Sequence, residues 1–406
     1  MAHTHAHTHG PAPDVPVRST ARLILLGALG VVAVLTVVGV VAFWPSHTPH
    51  PSGDTSYAAP GVTFPRATVT KVEKACPENY GGGEGATCGK IGVRVTQGAG
   101  KGQTADITVP PEVFTSGLSK GDTVELVRTP GKSGAAAELS YFTIHRSGSL
   151  WILFAVFLLV VVAVARLRGL LAVVGLGFGA LVLVKFMLPA LLTGESGTGV
   201  ALTGSAAIMF VVLYLAHGPS LRTSAALAGT LGGVGVTAIV ALLTIHHGHL
   251  TGVTDESGAI LSTFAGNVSF QGLLTCAVIV AGLGVLNDVT ITQASAVWEL
   301  RAAGDDMGRR ELFTSAMRIG RDHIASTIYT IVFAYAGTAL MVLLLLYYYE
   351  RPFLQLLSTE DIAEEITRTL ASAIGLVLAV PITTAIAVAC VAGPRQVRRS
   401  RGSHAG

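Results

Sequence analysis

Residues 23–43 read LILLGALGVVAVLTVVGVVAF. The run carries no charge, and as a helix rising ~1.5 Å per residue it spans the ~30 Å hydrocarbon layer of a bilayer. Comparable apolar runs follow at 150–165, 170–192, 200–216, 221–245, 268–286, 325–348 and 370–392. Together they predict an α-helical polytopic membrane bundle of about eight transmembrane helices. One polar segment, 45–148, interrupts the series between the first and second runs. Basic residues ahead of the first run also fit a secretory signal peptide, but the run exceeds the ~7–15 apolar residues of a signal core. Ala42-Phe43-Trp44-Pro45 also lacks a small-x-small cleavage site. An uncleaved anchor over 22–44 is therefore expected.

Arginine carries the orientation signal, because cytoplasmic loops of membrane proteins hold an excess of basic residues. With the N-terminus inside, the inner loops and ends receive Arg18, Arg22, Arg166, Arg168, Arg222, Arg301, Arg309, Arg310, Arg318, Arg321, Arg395, Arg398, Arg399 and Arg401. The short outer loops receive only Arg351 and Arg368. Both termini are accordingly placed in the cytoplasm, the plasma membrane in between, and 45–148 outside. The formal net charge of +3 then describes sidedness, and no nucleic-acid partner is expected. Residues 1–21 form a His-rich tail with the composition of a disordered segment, and 394–406 a basic one.

The outer segment reads as one small β-rich, barrel-like domain. Alternation at 67–72, 91–95, 105–109 and 123–127, with a fifth run at 139–144, is punctuated by Gly98, Gly100, Gly102, Pro110, Gly121 and Gly131. Such spacing suits a barrel of the oligonucleotide/oligosaccharide-binding or SH3-like type, and that fold alone names no ligand. Cys76 and Cys88 flank a loop holding Gly81, Gly82, Gly83 and Gly85. A disulfide there would close the loop, contributing roughly 2–3 kcal/mol by chain entropy; the alternative is an unpaired or metal-bound pair. Cys276 and Cys390 fall inside apolar runs, as packing residues.

Ionisable and amide side chains inside lipid are costly, and they face partners or water. Lys185 lies in the third run just before Pro189, and either snorkels to the outer headgroups or faces the bundle interior. Asp288, with Asn287 before it, is the leading candidate. If the helix continues through Ser295 the carboxylate sits in the inner third of the membrane; if it stops near Leu286, Asp288 caps an interfacial helix. Segment 301–323 is amphipathic, and Arg318 and Asp322 lie one helical turn apart as a local ion pair. Its arginines, Arg318 and Arg321, either neutralise Asp288 or meet anionic lipid. The acidic residues Glu360 and Asp361 fit the first turn of the last helix, with Ser358 as its N-cap. Gly175-x-x-x-Gly179 and Gly229-x-x-x-Gly233 read as close-packing ridges.

His246, His247 and His249, ahead of Asp255 and Glu256, offer imidazoles to a transition metal, as do His3, His5, His7 and His9 in the tail. They are weaker candidates than the intramembrane carboxylate, and no cofactor or resident metal is expected. No phosphate loop followed by Lys, no His-Glu-x-x-His and no nucleophile elbow is present, so enzyme activity is not expected.

The stretches 215–223 (LAHGPSLRT), 284–289 (GVLNDV), 294–300 (ASAVWEL), 311–313 (ELF) and 319–322 (IGRD), with 185–189 (KFMLP), resemble the YibE/F family of bacterial integral membrane proteins. The resemblance runs from about Tyr141 to Val391 and, more weakly, over the outer domain, and implies an architecture more than an activity. It singles out Asp288, Glu299, Arg321 and Asp322 without assigning roles, and Asn287 departs from the small or apolar residue more usual before the aspartate. The layout of anchor, outer domain and aspartate-bearing glycine-rich span is also similar, by analogy, to proton-driven transporters of the resistance-nodulation-division type. The expectation is permease-like ion or solute transport, with lipid, a small ion or solute and a second copy of the chain as partners. The alternative is a scaffold or envelope-assembly factor whose outer domain binds a partner.

Overall fold

The computed structural model describes residues 15–45, 61–73, 89–131, 137–254, 256–264, 266–304, 306–348 and 352–393. In chain order the elements are α1 (Ser19–Ala42), β1 (Arg66–Glu73), β2 (Gly89–Gln97), β3 (Thr104–Val109), α2 (Pro111–Thr115), β4 (Thr123–Thr129), β5 (Glu138–Ile144) and α3 (Ser147–Val182). A π-helical turn, Leu183–Met187, leads to α4 (Leu188–Leu192), α5 (Gly197–His217), α6 (Leu221–His247), α7 (Glu256–Phe264), α8 (Phe270–Ala303) and α9 (Arg309–Thr338). The chain ends with α10 (Leu340–Tyr348), α11 (Phe353–Leu357) and α12 (Glu360–Cys390). It divides into two compact units, His50–Val164 and the remainder. Cys76, Cys88, Asp255, the histidines of the N-terminal tail and the basic C-terminal tail lie outside the described residues.

In the first of these units the strands form one antiparallel sheet in the order β3-β2-β1-β4-β5. Its two ends, β3 and β5, come together, so the sheet is nearly closed. That order, with α2 between β3 and β4, fits the oligonucleotide/oligosaccharide-binding arrangement of the two barrel types expected. Period-two patterning accounts for the closure. Ala67 and Val69, Ile91, Val93 and Val95, and Val124 and Leu126 all point inward and are at most 1% exposed, whereas Lys90 and Arg94 between them point out. Burying each such Val, Leu or Ile side chain stabilises the barrel by ~1.5–3 kcal/mol.

In the second unit α6, α8 and α12 form the centre. Half or more of the most apolar stretch of each is buried (50%, 56% and 50%), against 22% for α1 and 0% for the long helix 147–192. Glycine permits the close approach. A Cβ at Gly229 would strike Thr383, one at Gly375 would strike Thr237, and one at Gly233 would lie 2.7 Å from Leu286 and 2.9 Å from Ala379. The ridge foreseen at Gly229 and Gly233 therefore packs against α12 and α8. Residues 16–18 pair with the end of α12: the Arg18 N–H donates to the Cys390 carbonyl at 3.0 Å and the Ala392 N–H to that of Pro16 at 2.8 Å. The N-terminal pairing begins inside the stretch expected to be a disordered tail, and α1 starts at Ser19.

Among the described residues, six helices are long and apolar enough to cross a bilayer, or seven when α9 and α10, bent by 64°, count as one. Eight is reached only by dividing 147–192 at Arg166, whose φ of 52° and ψ of −138° interrupt an otherwise continuous helix. The expected inner loop at Arg166 and Arg168 is thus reduced to a single non-helical residue. The expected N-cap of the last helix is also corrected: Thr359 occupies that position, while the Ser358 hydroxyl donates back to the Gln355 carbonyl at 2.8 Å. Glu360 and Asp361 do lie in the first turn.

Candidate functional site: a polar seam between α6, α8, α9 and α12

Helix α8 organises the site. Ser269 caps its start, accepting from the Gly272 N–H at 3.1 Å, and the helix runs without interruption to Gly304. This overturns the reading in which Asp288 caps a separate interfacial helix. No proline interrupts α8, and its glycines at 282 and 284 are tolerated because packing, not propensity, holds a buried helix together. Leu286, Val289, Thr290 and Gln293 face the core, which leaves Asp288 on the opposite side.

The Asp288 side chain is 72% exposed, and His323 Nε2 on α9 lies 4.0 Å from its Oδ2. Five residues further along α8, Gln293 is only 3% exposed, and its Nε2 donates to the Ala316 carbonyl at 3.0 Å and to Thr384 Oγ1 at 2.7 Å. The pairs 288–323 and 293–316 shift in opposite directions, so α8 and α9 are antiparallel. Gly320 allows this contact, since a Cβ there would lie 2.7 Å from Val380 and 2.9 Å from Gln293 Oε1. Gln293 therefore joins α8, α9 and α12 through a single amide.

A second buried link lies one turn away. The hydroxyls of Thr230 and Thr290 are 2.6 Å apart, and each also reaches a carbonyl of its own helix, that of Ala226 at 3.0 Å and that of Asn287 at 3.1 Å. Asn287 Oδ1 and His323 Nε2 are buried without a hydrogen-bond partner. A buried polar atom left unpaired costs ~1–3 kcal/mol. Asn287 Oδ1 and His323 Nε2 are thus under-satisfied beside a well-satisfied Thr and Gln seam.

The other candidates are dispersed. Arg318, Arg321, Asp322 and Glu299 are exposed. Among the described residues the ion pairs are Lys71–Glu73, Glu365–Arg368 and His323–Asp288, so neither the Arg318–Asp322 pair nor neutralisation of Asp288 by arginine is formed. The side chain that α9 brings nearest Asp288 is His323, not Arg318 or Arg321. Lys185 is exposed on the π-helical turn, while Phe186 and Met187 are buried and pack with α5. Pro189 has no N–H to complete the bond to the Lys185 carbonyl, which accounts for the widened turn. The rings of His246 and His247 meet edge-on at 5.5 Å, and His249 is exposed at φ 51°. Among the described residues no group of three His, Cys, Asp or Glu could hold a metal ion. Cys276 and Cys390 are buried and free.

His323, Gln293, Thr384 and the Thr230–Thr290 pair were not singled out from sequence. An amide at Gln293 amid small and apolar neighbours was a usable signal, whereas His323 was masked by the charged residues around it.

The sequence family described as YibE/F-like protein matches residues 153–393, more than half of the chain. The chain belongs to the YibE/F-like family. The match takes in α5 to α12 and every member of the seam, and the β unit's strands precede it. No curated protein and no solved structure matches the chain. The YibE/F-like region is thus where Asp288, His323 and Gln293 reside, and the weaker resemblance expected over the outer domain lies outside the matched residues.

Proposed function

We propose that this YibE/F-like protein is a multi-pass plasma-membrane protein, both termini cytoplasmic, that moves a small ion or solute coupled to protons, without enzymatic chemistry. Membrane residence is supported by apolar side chains exposed along α1, α3 and α10, such as Leu23 at 76%, Val164 at 79% and Met341 at 77%. That surface suits lipid, where a helix satisfies all its backbone groups internally. The pairing of residues 16–18 with the end of α12 supports a common side for both termini.

The observation that carries the transport reading is the Asp288–His323 pair, a carboxylate and an imidazole 4.0 Å apart on neighbouring helices. Asp288 lies ~27 Å along α8 from Phe270 at ~1.5 Å per residue. If Phe270 marks the outer edge of a hydrocarbon layer ~30 Å thick, Asp288 lies close to its inner edge. An ionisable side chain on a membrane helix is a functional-site candidate, and that supports the transport reading. Proton exchange between the two groups would change the charge pulling α9 onto α8, and the Gln293 amide would convey that change to α12.

The scaffold reading draws on the close, glycine-packed centre of α6, α8 and α12. Charge movement across proteoliposomes under pH jumps separates the two. Asp288→Asn and His323→Gln should each reduce the current at least ~10-fold. A current equal to that of the unsubstituted chain in both variants rejects the proton pair, and no current from the unsubstituted chain favours the scaffold.

A further inference from the structure

At the end of the helical unit away from the pairing of residues 16–18 with the end of α12, a cleft of ≈ 310 Å³ opens between the α4–α5 turn, the last turn of α6 and the start of α8. Its size is at the small end of ligand pockets, which run ~300–1,000 Å³. Leu242 and Ile245 supply an apolar wall. Among the described residues lining it, Glu195 is the one carboxylate and His246 the one imidazole. Gln271 also lines it, with its Nε2 committed to the Leu250 carbonyl at 2.8 Å, which leaves Oε1 as an acceptor.

Two helices begin at this cleft side by side. A Cβ on Gly197 would strike the Gly272 carbonyl, so glycine at 197 is what lets the starts of α5 and α8 converge. Ser196 takes the Gly199 N–H at 3.3 Å and Ser269 the Gly272 N–H at 3.1 Å. The earlier N–H groups of each first turn have no acceptor within their helices. The cleft therefore combines a carboxylate and an amide oxygen with an imidazole and free backbone donors, next to a short apolar wall. This is a complement for one molecule carrying both charges, not for a lone anion, which Glu195 would repel, nor for a lone cation, which the helix starts would repel.

We propose that this cleft binds a small zwitterion of the α-amino-acid type, with its carboxylate toward the first turns of α5 and α8 and His246, its ammonium toward Glu195 and its side chain against Leu242 and Ile245. The site names a substrate class for the transport reading and rests on that reading only for the step from binding to movement.

The test uses the full chain in phospholipid nanodiscs, titrated calorimetrically with glycine, L-alanine, L-serine and L-glutamine, and with propionate and ethylamine as single-charge controls. At least one amino acid should bind saturably at one site per chain. Glu195→Gln should weaken it at least ~10-fold, and the controls should bind at least ~10-fold more weakly. Gly197→Ala should weaken it as well, and Glu195→Gln keeps the test decisive if that chain does not fold. No saturable binding of any of the four, an affinity unchanged in Glu195→Gln, or controls as tight as the amino acid overturns the proposal. Asp288→Asn should retain the binding while losing the current. Binding without current from the unsubstituted chain would uphold the cleft and reject transport.

Discussion

Replacing Gln293 tests whether the seam holds α9 to the rest of the bundle. In Gln293→Leu the side chain keeps its approximate volume, but both donations are lost, to the Ala316 carbonyl at 3.0 Å and to Thr384 Oγ1 at 2.7 Å. Each acceptor retains a partial alternative. Thr384 Oγ1 still donates to the Val380 carbonyl at 2.7 Å, and the Ala316 carbonyl lies within a continuous helix. The loss should therefore be nearer the measured worth of hydrogen bonds between membrane helices, on average ~0.6 and at most ~1.7 kcal/mol each, than the cost of an orphaned buried group. Two such bonds sum to about 1–3 kcal/mol. Gln293→Ala adds a cavity at a site only 3% exposed and should cost ~1–2 kcal/mol more. The assay is a double-mutant cycle of Gln293→Leu with Thr384→Val, read by steric-trap unfolding in bicelles. A coupling energy of about 0.6–1.7 kcal/mol is expected. A coupling below ~0.3 kcal/mol refutes the direct link between α8 and α12.

Gly375→Ala places a methyl group against Thr237 and 3.0 Å from the Gly233 carbonyl, so it should destabilise by ~1–3 kcal/mol, and Thr237→Ala should recover part of that loss in the same unfolding assay. A change within ~0.5 kcal/mol in Gly375→Ala would show that α6 and α12 do not approach as described. In the β unit, burial raises the Tyr141 phenol above its ordinary value of 10.0. The folded state therefore favours the neutral phenol: its contribution is complete below pH ~10 and is lost as pH rises through the folded value. Alkaline melting of the intact protein should be less steep in Tyr141→Phe, and identical profiles would exclude this contribution. Cys276 and Cys390, both buried, should resist maleimide in the folded protein and react after denaturation, and rapid labelling of either in nanodiscs would contradict the packing of α8 or α12.

The helical content, the first apolar helix and the five strands were legible because each depends on a local pattern. Uncharged runs of bilayer length and period-two alternation can be read without knowing any partner. Asp288 stood out in the sequence as an ionisable residue amid apolar neighbours, but its contact with His323 did not. Boundaries that depend on context were not legible. Whether the chain stops at Leu286 or continues to Ala303 turns on packing against α6 and α12, and whether Arg166 makes a loop or a single non-helical residue turns on the turns either side of it.

What the sequence by itself determined is therefore the composition of each segment and the solvent it prefers, because hydrophobic period and charge act over a few residues. Only the tertiary structure decided the partners. Asp288 meets His323 instead of an arginine, because antiparallel contact of α8 with α9 sets which side chains share a level, and Gly320 sets how closely they approach. Gln293 reaches Thr384 across ninety-one positions of chain because Gly229, Gly233 and Gly375 let α6, α8 and α12 close on one another. Pairings over such separations depend on side-chain volume at crossings between helices, a quantity with no signature in the local pattern of any one of them.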